Sequence, residues 1–457
     1  MLKKTLLQVG IKFLAVACGI FITRWQVSNF TTQDFANYSL ILAYNSMVLM
    51  AVTWGLPQII QKVFTNRDKN KNTEEMELPL AKGLVAKADW GYKSDATPNC
   101  ASSKFNAASS ITRTGSLATL KMTYRFNLAN FWTTTIALRF ISYLVGLIII
   151  FLTYKLSQTN DLIAIIGIFT AQFILLADLA FRSIADSVNK SWQFSITDLI
   201  GKLILVGLIF VTFNFWQPSI LNFALISIIA YFASLLIDAF WQRQSYSWGK
   251  FDFNIIRVEL GAIGFLTLAD IINGLYSKTD LLILRYYSFD LIQVASYSNA
   301  YKLFEIATII PGLTMPVLAS RLRRKLNSKE ITKKTLIKYY SIAIGAGVLT
   351  TIAVNIFAQL GIWLIDPNGK YDSLELLRIL SLILIVLFPT LLSSDLLNVS
   401  GLEKKQFWSK LWTAIVAIVC YLIFIPWFGG VGAAAATLLF FTFELLVKTW
   451  YVYKYVE

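Results

Sequence analysis

The chain has 457 residues, of which 56% are apolar and only 15% charged, where a soluble globular chain carries about 25% charged residues. Its formal net charge is +15, yet Lys and Arg stand between long apolar runs instead of clustering on one surface, so no nucleic-acid partner is expected and the excess fits loops held at an anionic membrane leaflet. There is no His, and Cys18, Cys100 and Cys420 are far apart, so a His or Cys metal site, a Ser-His-Asp triad and a Cys-His pair lack their residues; no metal or cofactor is expected.

Lys3 and Lys4 precede an apolar run that continues past Ile22, too long for a signal-peptide core, with no small-x-small cleavage site. It reads as a first spanning helix at 6–25. A bilayer core of roughly 30 Å takes about 20 apolar residues at about 1.5 Å each. Further runs of that kind lie at 37–60, 129–153, 161–181, 194–213, 219–241, 258–286, 292–318, 339–364, 374–398, 408–427 and 430–450. The expected fold is an all-α membrane protein of about twelve transmembrane helices, with both termini on one side.

Lys and Arg decide which side. Alternate connections hold Lys3 and Lys4; Arg182 and Lys190; Arg243, Lys250 and Arg257; the seven basic residues from Arg321 to Lys334; Lys404, Lys405 and Lys410; then Lys448 and Lys454. The opposite connections hold little beyond Arg24, Lys155, Lys370 and Arg378. The termini and the basic loops are therefore expected in the cytoplasm. The cytoplasmic stretch 66–126 is polar and shows no amphipathic period, which reads as a disordered, tolerated insertion or as a regulatory loop.

An internal repeat needs no family knowledge. At an offset of 259 residues Phe30 aligns with Phe289, Ala36 with Ala295, Tyr38 with Tyr297, Ser39 with Ser298 and Pro57 with Pro316. Both segments run from outside to inside, so the repeat is parallel: two six-helix lobes, 1–241 and 242–457, related by a pseudo-two-fold along the membrane normal.

Phe35-Ala36-Asn37-Tyr38-Ser39 followed by Gly55-Leu56-Pro57-Gln58, then Ser277-Lys278-Thr279-Asp280-Leu281-Leu282 with Ala295 to Leu303, and the spacing from Leu374 through Asn398 to Gly401, resemble the polysaccharide-flippase family. That family includes the O-antigen flippases and belongs to the multidrug/oligosaccharidyl-lipid/polysaccharide exporter superfamily. The resemblance covers nearly the whole chain outside 66–126, though Ala36 and Ala295 stand where the family usually has Gly. It implies a two-lobed, non-enzymatic transporter in a bacterial inner membrane. Such a transporter moves an isoprenoid-pyrophosphate-linked oligosaccharide to the periplasmic leaflet by alternating access. The partners implied are that substrate, membrane lipids, and a polysaccharide polymerase with its chain-length regulator.

Charges within spans usually face the bundle interior or a water-filled cavity. Asp198 and Lys202, four apart, read as a local pair, as do Lys302 and Glu305, three apart; Asp178 and Asp238 have Arg182 and Arg243 nearby, and Asp395 and Glu444 are left unassigned. In the seventh helix Asp270, Gly274, Lys278 and Arg285 read as one polar stripe, from which Asp280 points away toward another helix or a break near Gly274. A lipid pyrophosphate in a low-dielectric cavity calls for cations. The candidate substrate ligands are Arg24, Arg139, Lys278, Arg285 and Lys302, with Asp270, Asp280 and Glu305 as candidates for ion coupling or gating. Structural ion pairs are the competing reading. Export of drugs or small cations is the alternative function, calling for a carboxylate-rich cavity; a membrane glycosyltransferase or ligase is third, and no outer loop is long enough for its catalytic groups.

Overall fold

The computed structural model describes residues 2–53, 75–79, 123–157, 159, 161–187, 191–243, 248–253, 265–288, 290–327, 333–399 and 402–456. Its helices are α1 (Leu2–Asn29), α2 (Thr32–Thr53), α3 (Leu128–Thr153), α4 (Leu162–Ser187), α5 (Ser191–Phe213), α6 (Ile220–Gln242), α7 (Phe265–Tyr276), α8 (Thr279–Tyr287), α9 (Leu291–Asn327), α10 (Lys333–Ile365), α11 (Leu374–Val399) and α12 (Glu403–Val456). Among the described residues nine helices are long and apolar enough to cross a membrane. The rest of the expected dozen comes from α4, whose apolar part is shorter, from α7 and α8 as halves of one span, and from α12, which is two spans.

The division of α12 is physical. Gly429, with φ 56° and ψ −130°, interrupts the helix three residues after Pro426. Across it Tyr421 and Thr437 hydroxyls lie 3.2 Å apart and the Tyr421 and Phe440 rings 5.8 Å apart. In one straight helix residues sixteen apart would be separated by about 24 Å, so the chain doubles back as a helical hairpin.

The break between α7 and α8 is milder. Lys278 takes φ −123° and ψ 5°, and neighbouring side chains bond the backbone: Thr279 Oγ1 donates to Leu275 O at 2.7 Å, and the Leu281 amide donates to Asp280 Oδ1 at 2.8 Å. A broken span is tolerated where side chains satisfy its freed polar groups. The continuous stripe expected through Asp270, Gly274, Lys278 and Arg285 is therefore interrupted, at Ser277–Lys278 and not at Gly274.

Polar turns set the other ends. Thr31 Oγ1 accepts from the Asp34 amide at 3.1 Å while bonding Asp34 Oδ2 at 2.7 Å, which starts α2; Ser219 does the same for α6 through the Asn222 amide at 3.2 Å. Lipid-facing surfaces carry Phe13, Phe151, Ile163, Phe210 and Ile356, all more than half exposed. Lipid is as apolar as Leu, so the lobes are joined by packing of small side chains: Ala36 and Ala43 of α2 and Ala295 and Ala300 of α9 are almost fully buried. Gly274 of α7 approaches Met50 of α2 so closely that a Cβ there would lie 2.2 Å from Met50 Cγ.

Most of 66–126 lies outside the described residues, as do Pro57 and Phe289. Two described stretches, β1 (Glu75–Pro79) and β2 (Thr123–Asn127), pair antiparallel with Glu75 opposite Asn127. They differ from the structureless reading: Tyr124 and Phe126 alternate with polar residues at strand period.

Candidate substrate cavity

The repeat becomes geometry where α2 and α9 face each other. Each offers one helical face at i, i+3, i+4, i+7: Ser39, Leu42, Ala43 and Ser46 from α2, and Ser298, Tyr301, Lys302 and Glu305 from α9, around a cavity of about 240 Å³. The two sets coincide under the offset of 259 residues. Asp280 and Lys278 from the α7–α8 break complete the polar wall.

A neighbouring space of about 370 Å³ continues between α1, α5, α6 and α9, past Gln26, Tyr38, Lys202 and Tyr231; Leu42, Lys302 and Glu305 line both, so the two form one chamber. An apolar cleft of about 510 Å³ between α1, α9 and α10 adjoins it, lined by Phe13, Leu313, Leu349 and Phe357. Val16, Leu303, Ile306 and Ile309 belong to both chamber and cleft. Lys12 stands at the rim of the cleft.

Within the chamber the charges are distributed unevenly. Lys278 donates to the Glu305 carboxylate and lies 4.2 Å from the Tyr301 ring centroid. Asp280, 2% exposed, accepts from Tyr297 OH at 2.5 Å, so its partner is on another helix. Lys202 pairs with Asp198 at 3.0 Å. Lys302 has no carboxylate within ion-pair distance among the described residues. Its ammonium donates to Gln26 Oε1 at 3.1 Å and sits 4.5 Å from the Phe35 ring and 5.4 Å from Tyr38. The pairing of Lys302 with Glu305 expected from their spacing is thus replaced by two contacts to other helices, Lys278–Glu305 and Lys302–Gln26. Local spacing brings side chains near each other, but the interhelical partner wins when it offers better geometry.

Of the candidate residues, Lys278, Lys302, Asp280 and Glu305 share the chamber. Arg24 packs over Trp363 of α10 at 5.8 Å. Arg139, 6% exposed on α3, lines none of these spaces. Arg285 closes α8 by donating to Ser288 O at 3.1 Å. Asp270 is on an exposed face of α7 within electrostatic range of Lys410 and Lys448. Gathering Arg24, Arg139, Lys278 and Arg285 in one site is therefore not what the fold does, and the lining lysines exceed the lining carboxylates by one. Asp238 also differs from expectation: it accepts from Thr197 Oγ1 at 2.6 Å, while Arg243 stacks on Phe240.

A second buried network escaped sequence reasoning. Glu444 of α12, fully buried, accepts from Lys448 one turn on and from Lys410 at 2.6 Å across the hairpin. Lys410 also donates to Asn273 Oδ1 at 2.6 Å, and Lys448 to Ser394 Oγ at 2.6 Å, so α7, α11 and both arms of α12 are tied together. The i, i+4 spacing of Glu444 and Lys448 was the available signal, hidden by counting Lys448 as a loop charge. Among the described residues no cluster of His, Cys, Asp and Glu has the makings of a metal site.

No family model and no curated protein matches the chain. Solved structures do. An inward-facing multidrug resistance MATE family transporter of the MOP superfamily is 11% identical over 99% of this chain and 98% of its own, with a TM-score of 0.69. An outward-facing one is 11% identical over 98% of this chain and 96% of its own, at 0.63. A MATE protein in complex with MaL6 is 10% identical over 99% of this chain and 95% of its own, also at 0.63. At such identities the likeness speaks to fold: this is a multi-pass membrane protein with the two-lobed helical fold of the MATE transporters of the MOP superfamily.

Proposed function

We propose that the chain is an alternating-access transporter, not an enzyme, that moves an anionic amphiphile between leaflets, of the isoprenoid-pyrophosphate-linked oligosaccharide class. The observation that carries this reading is the continuity of the chamber with the apolar cleft, with Lys302 lining both parts of the chamber. The cleft suits a lipid chain. Lys302, held by an amide oxygen and two aromatic faces, is a half-buried ammonium ready to exchange weak partners for a phosphate oxygen. Sugars would then occupy the polar part lined by serines and tyrosines.

Export of organic cations is a second reading, supported by Asp280 and Glu305 in the chamber and by the description of similar folds as multidrug resistance transporters. Binding to the purified chain separates the two. The probes are an isoprenyl pyrophosphate, the isoprenyl alcohol alone, inorganic pyrophosphate alone, and tetraphenylphosphonium. The intact amphiphile is expected to stabilise the protein most and to lose that effect in Lys302→Ala; preferential stabilisation by the cation, retained in Lys302→Ala, would favour the second reading. The proposed setting is a bacterial inner membrane with cytoplasmic termini. Cysteines placed at 328–332, between α9 and α10, are then expected to resist impermeant thiol reagents in intact cells, and labelling there would reverse the orientation.

A further inference from the structure

At the end of the bundle away from the termini the lobes meet again, through the turn between α10 and α11. That turn is built to be stiff. Asp366, 3% exposed, accepts the amides of Lys370 at 3.0 Å and Tyr371 at 2.8 Å through its two carboxylate oxygens. Gly369 supplies the left-handed conformation the turn requires, with φ +61°, and its amide bonds Asp366 O at 3.2 Å.

Ser373 ties the turn to α9 of its own lobe, donating to Ser296 O at 3.0 Å, while Lys370 and Tyr371 reach into lobe 1. The Lys370 ammonium donates to Phe30 O at 2.6 Å and to Val27 O at 3.4 Å. These carbonyls close the C-terminal end of α1, where no further helical turn supplies amide donors and the helix dipole is negative. The Tyr371 ring, 3% exposed, stacks on Phe35 of α2 with centroids 5.3 Å apart and planes 17° apart. Arg24 of α1 over Trp363 of α10 adds a third contact on the same side. Phe35 also lies 4.5 Å from the Lys302 ammonium, so this junction and the chamber share a wall.

We propose that Lys370 and Tyr371 form a latch that holds the two lobes shut at this end, and that its release is part of opening the chamber there. The contacts are of a kind that makes and breaks without remodelling either lobe: one ammonium on helix-end carbonyls and one ring on another. The inference rests on the alternating-access reading and not on the identity of the substrate.

Distances between spin labels in the full chain test it without any ligand. The labels go on Ser28→Cys of α1 and Asn368→Cys of the turn, with Cys18, Cys100 and Cys420 replaced by Ser. The unaltered latch should give one short distance. Lys370→Ala and Tyr371→Ala should each add a longer population, with the closed-to-open ratio falling by roughly tenfold for Lys370→Ala, the effect of losing about one charge-assisted hydrogen bond, and by roughly two- to tenfold for Tyr371→Ala, the effect of losing one ring contact. Lys370→Arg, which still donates to carbonyls, should keep the short distance. A control pair inside lobe 2, Asn368→Cys with Trp427→Cys, should not move. An unchanged lobe-to-lobe distance in both Ala variants would overturn the latch, and a moved control pair would too, because the residues would then only be supporting the fold of lobe 2.

Discussion

α2 and α9 present the same four helical positions to one chamber, and the chemistry at those positions diverges. Ser39 corresponds to Ser298, but Leu42, Ala43 and Ser46 of lobe 1 correspond to Tyr301, Lys302 and Glu305 of lobe 2. A repeat preserves backbone packing, which depends on small buried residues such as Ala36 and Ala295, while leaving the cavity-facing positions free to change. At these helical positions lobe 2 has taken the charges, and lobe 1 supplies the aromatic and amide surroundings of one of them: the neighbours of Lys302 are Gln26, Phe35 and Tyr38, all from lobe 1. Neither half makes the site alone.

The largest expected effect lies in the buried charges of lobe 2, away from the chamber. Glu444→Ala would strand Lys410 and Lys448, both bonded to one fully buried carboxylate, at a cost of about 3–5 kcal/mol. The variant should be depleted from the membrane and melt early when purified. Normal abundance would mean that the lysines find other partners.

Next comes the asymmetry itself. Lys302→Ala should lower transport by about ten- to a hundredfold at normal protein level, because on the proposed function it removes a charge-assisted contact to the substrate worth about 1.5–3 kcal/mol. Adding Ala43→Lys, which moves the ammonium to the matching position of lobe 1, should not restore it. By the repeat the counterparts of Gln26, Phe35 and Tyr38 are Arg285, Val294 and Tyr297, which supply neither an amide oxygen nor a second ring. Recovery in the double variant would show that any cation in the chamber suffices. A smaller effect is expected where the lobes approach most closely. A Cβ at Gly274 would fall 2.5 Å from Met50 Cβ, so Gly274→Ala should cost about 1–3 kcal/mol in thermal denaturation, and Met50→Ala should return much of it. Smallest of all, Lys278→Ala should change stability by only about 0–1 kcal/mol, since its Glu305 partner is half exposed to the chamber. A large destabilisation would instead make that pair a structural tie between α8 and α9.

The spans were legible because hydropathy over about 20 residues is set by the bilayer, and the repeat because identical residues recur at the packed positions of α2 and α9. The hairpin inside α12 was legible too, as two separate apolar runs at 408–427 and 430–450. What the sequence concealed is side-chain traffic between helices. Lys302 and Glu305 sit three apart and look paired, yet each bonds to a different helix. Arg24, Arg139 and Arg285 have the right chemistry for a pyrophosphate but their helices aim them elsewhere, and only a three-dimensional arrangement decides that. Where the partners were local, as in Glu444 with Lys448, spacing alone would have sufficed.

The most direct test of an anionic, lipid-borne substrate is translocation in vesicles containing only the purified chain. A fluorescent isoprenyl pyrophosphate and a fluorescent organic cation are supplied side by side, and the appearance of each on the opposite side is followed with wild type and Lys302→Ala. The account predicts that the pyrophosphate crosses, that Lys302→Ala slows it at least about tenfold, and that the cation is not moved. Movement of the cation, undiminished in Lys302→Ala, with none of the pyrophosphate, would contradict it.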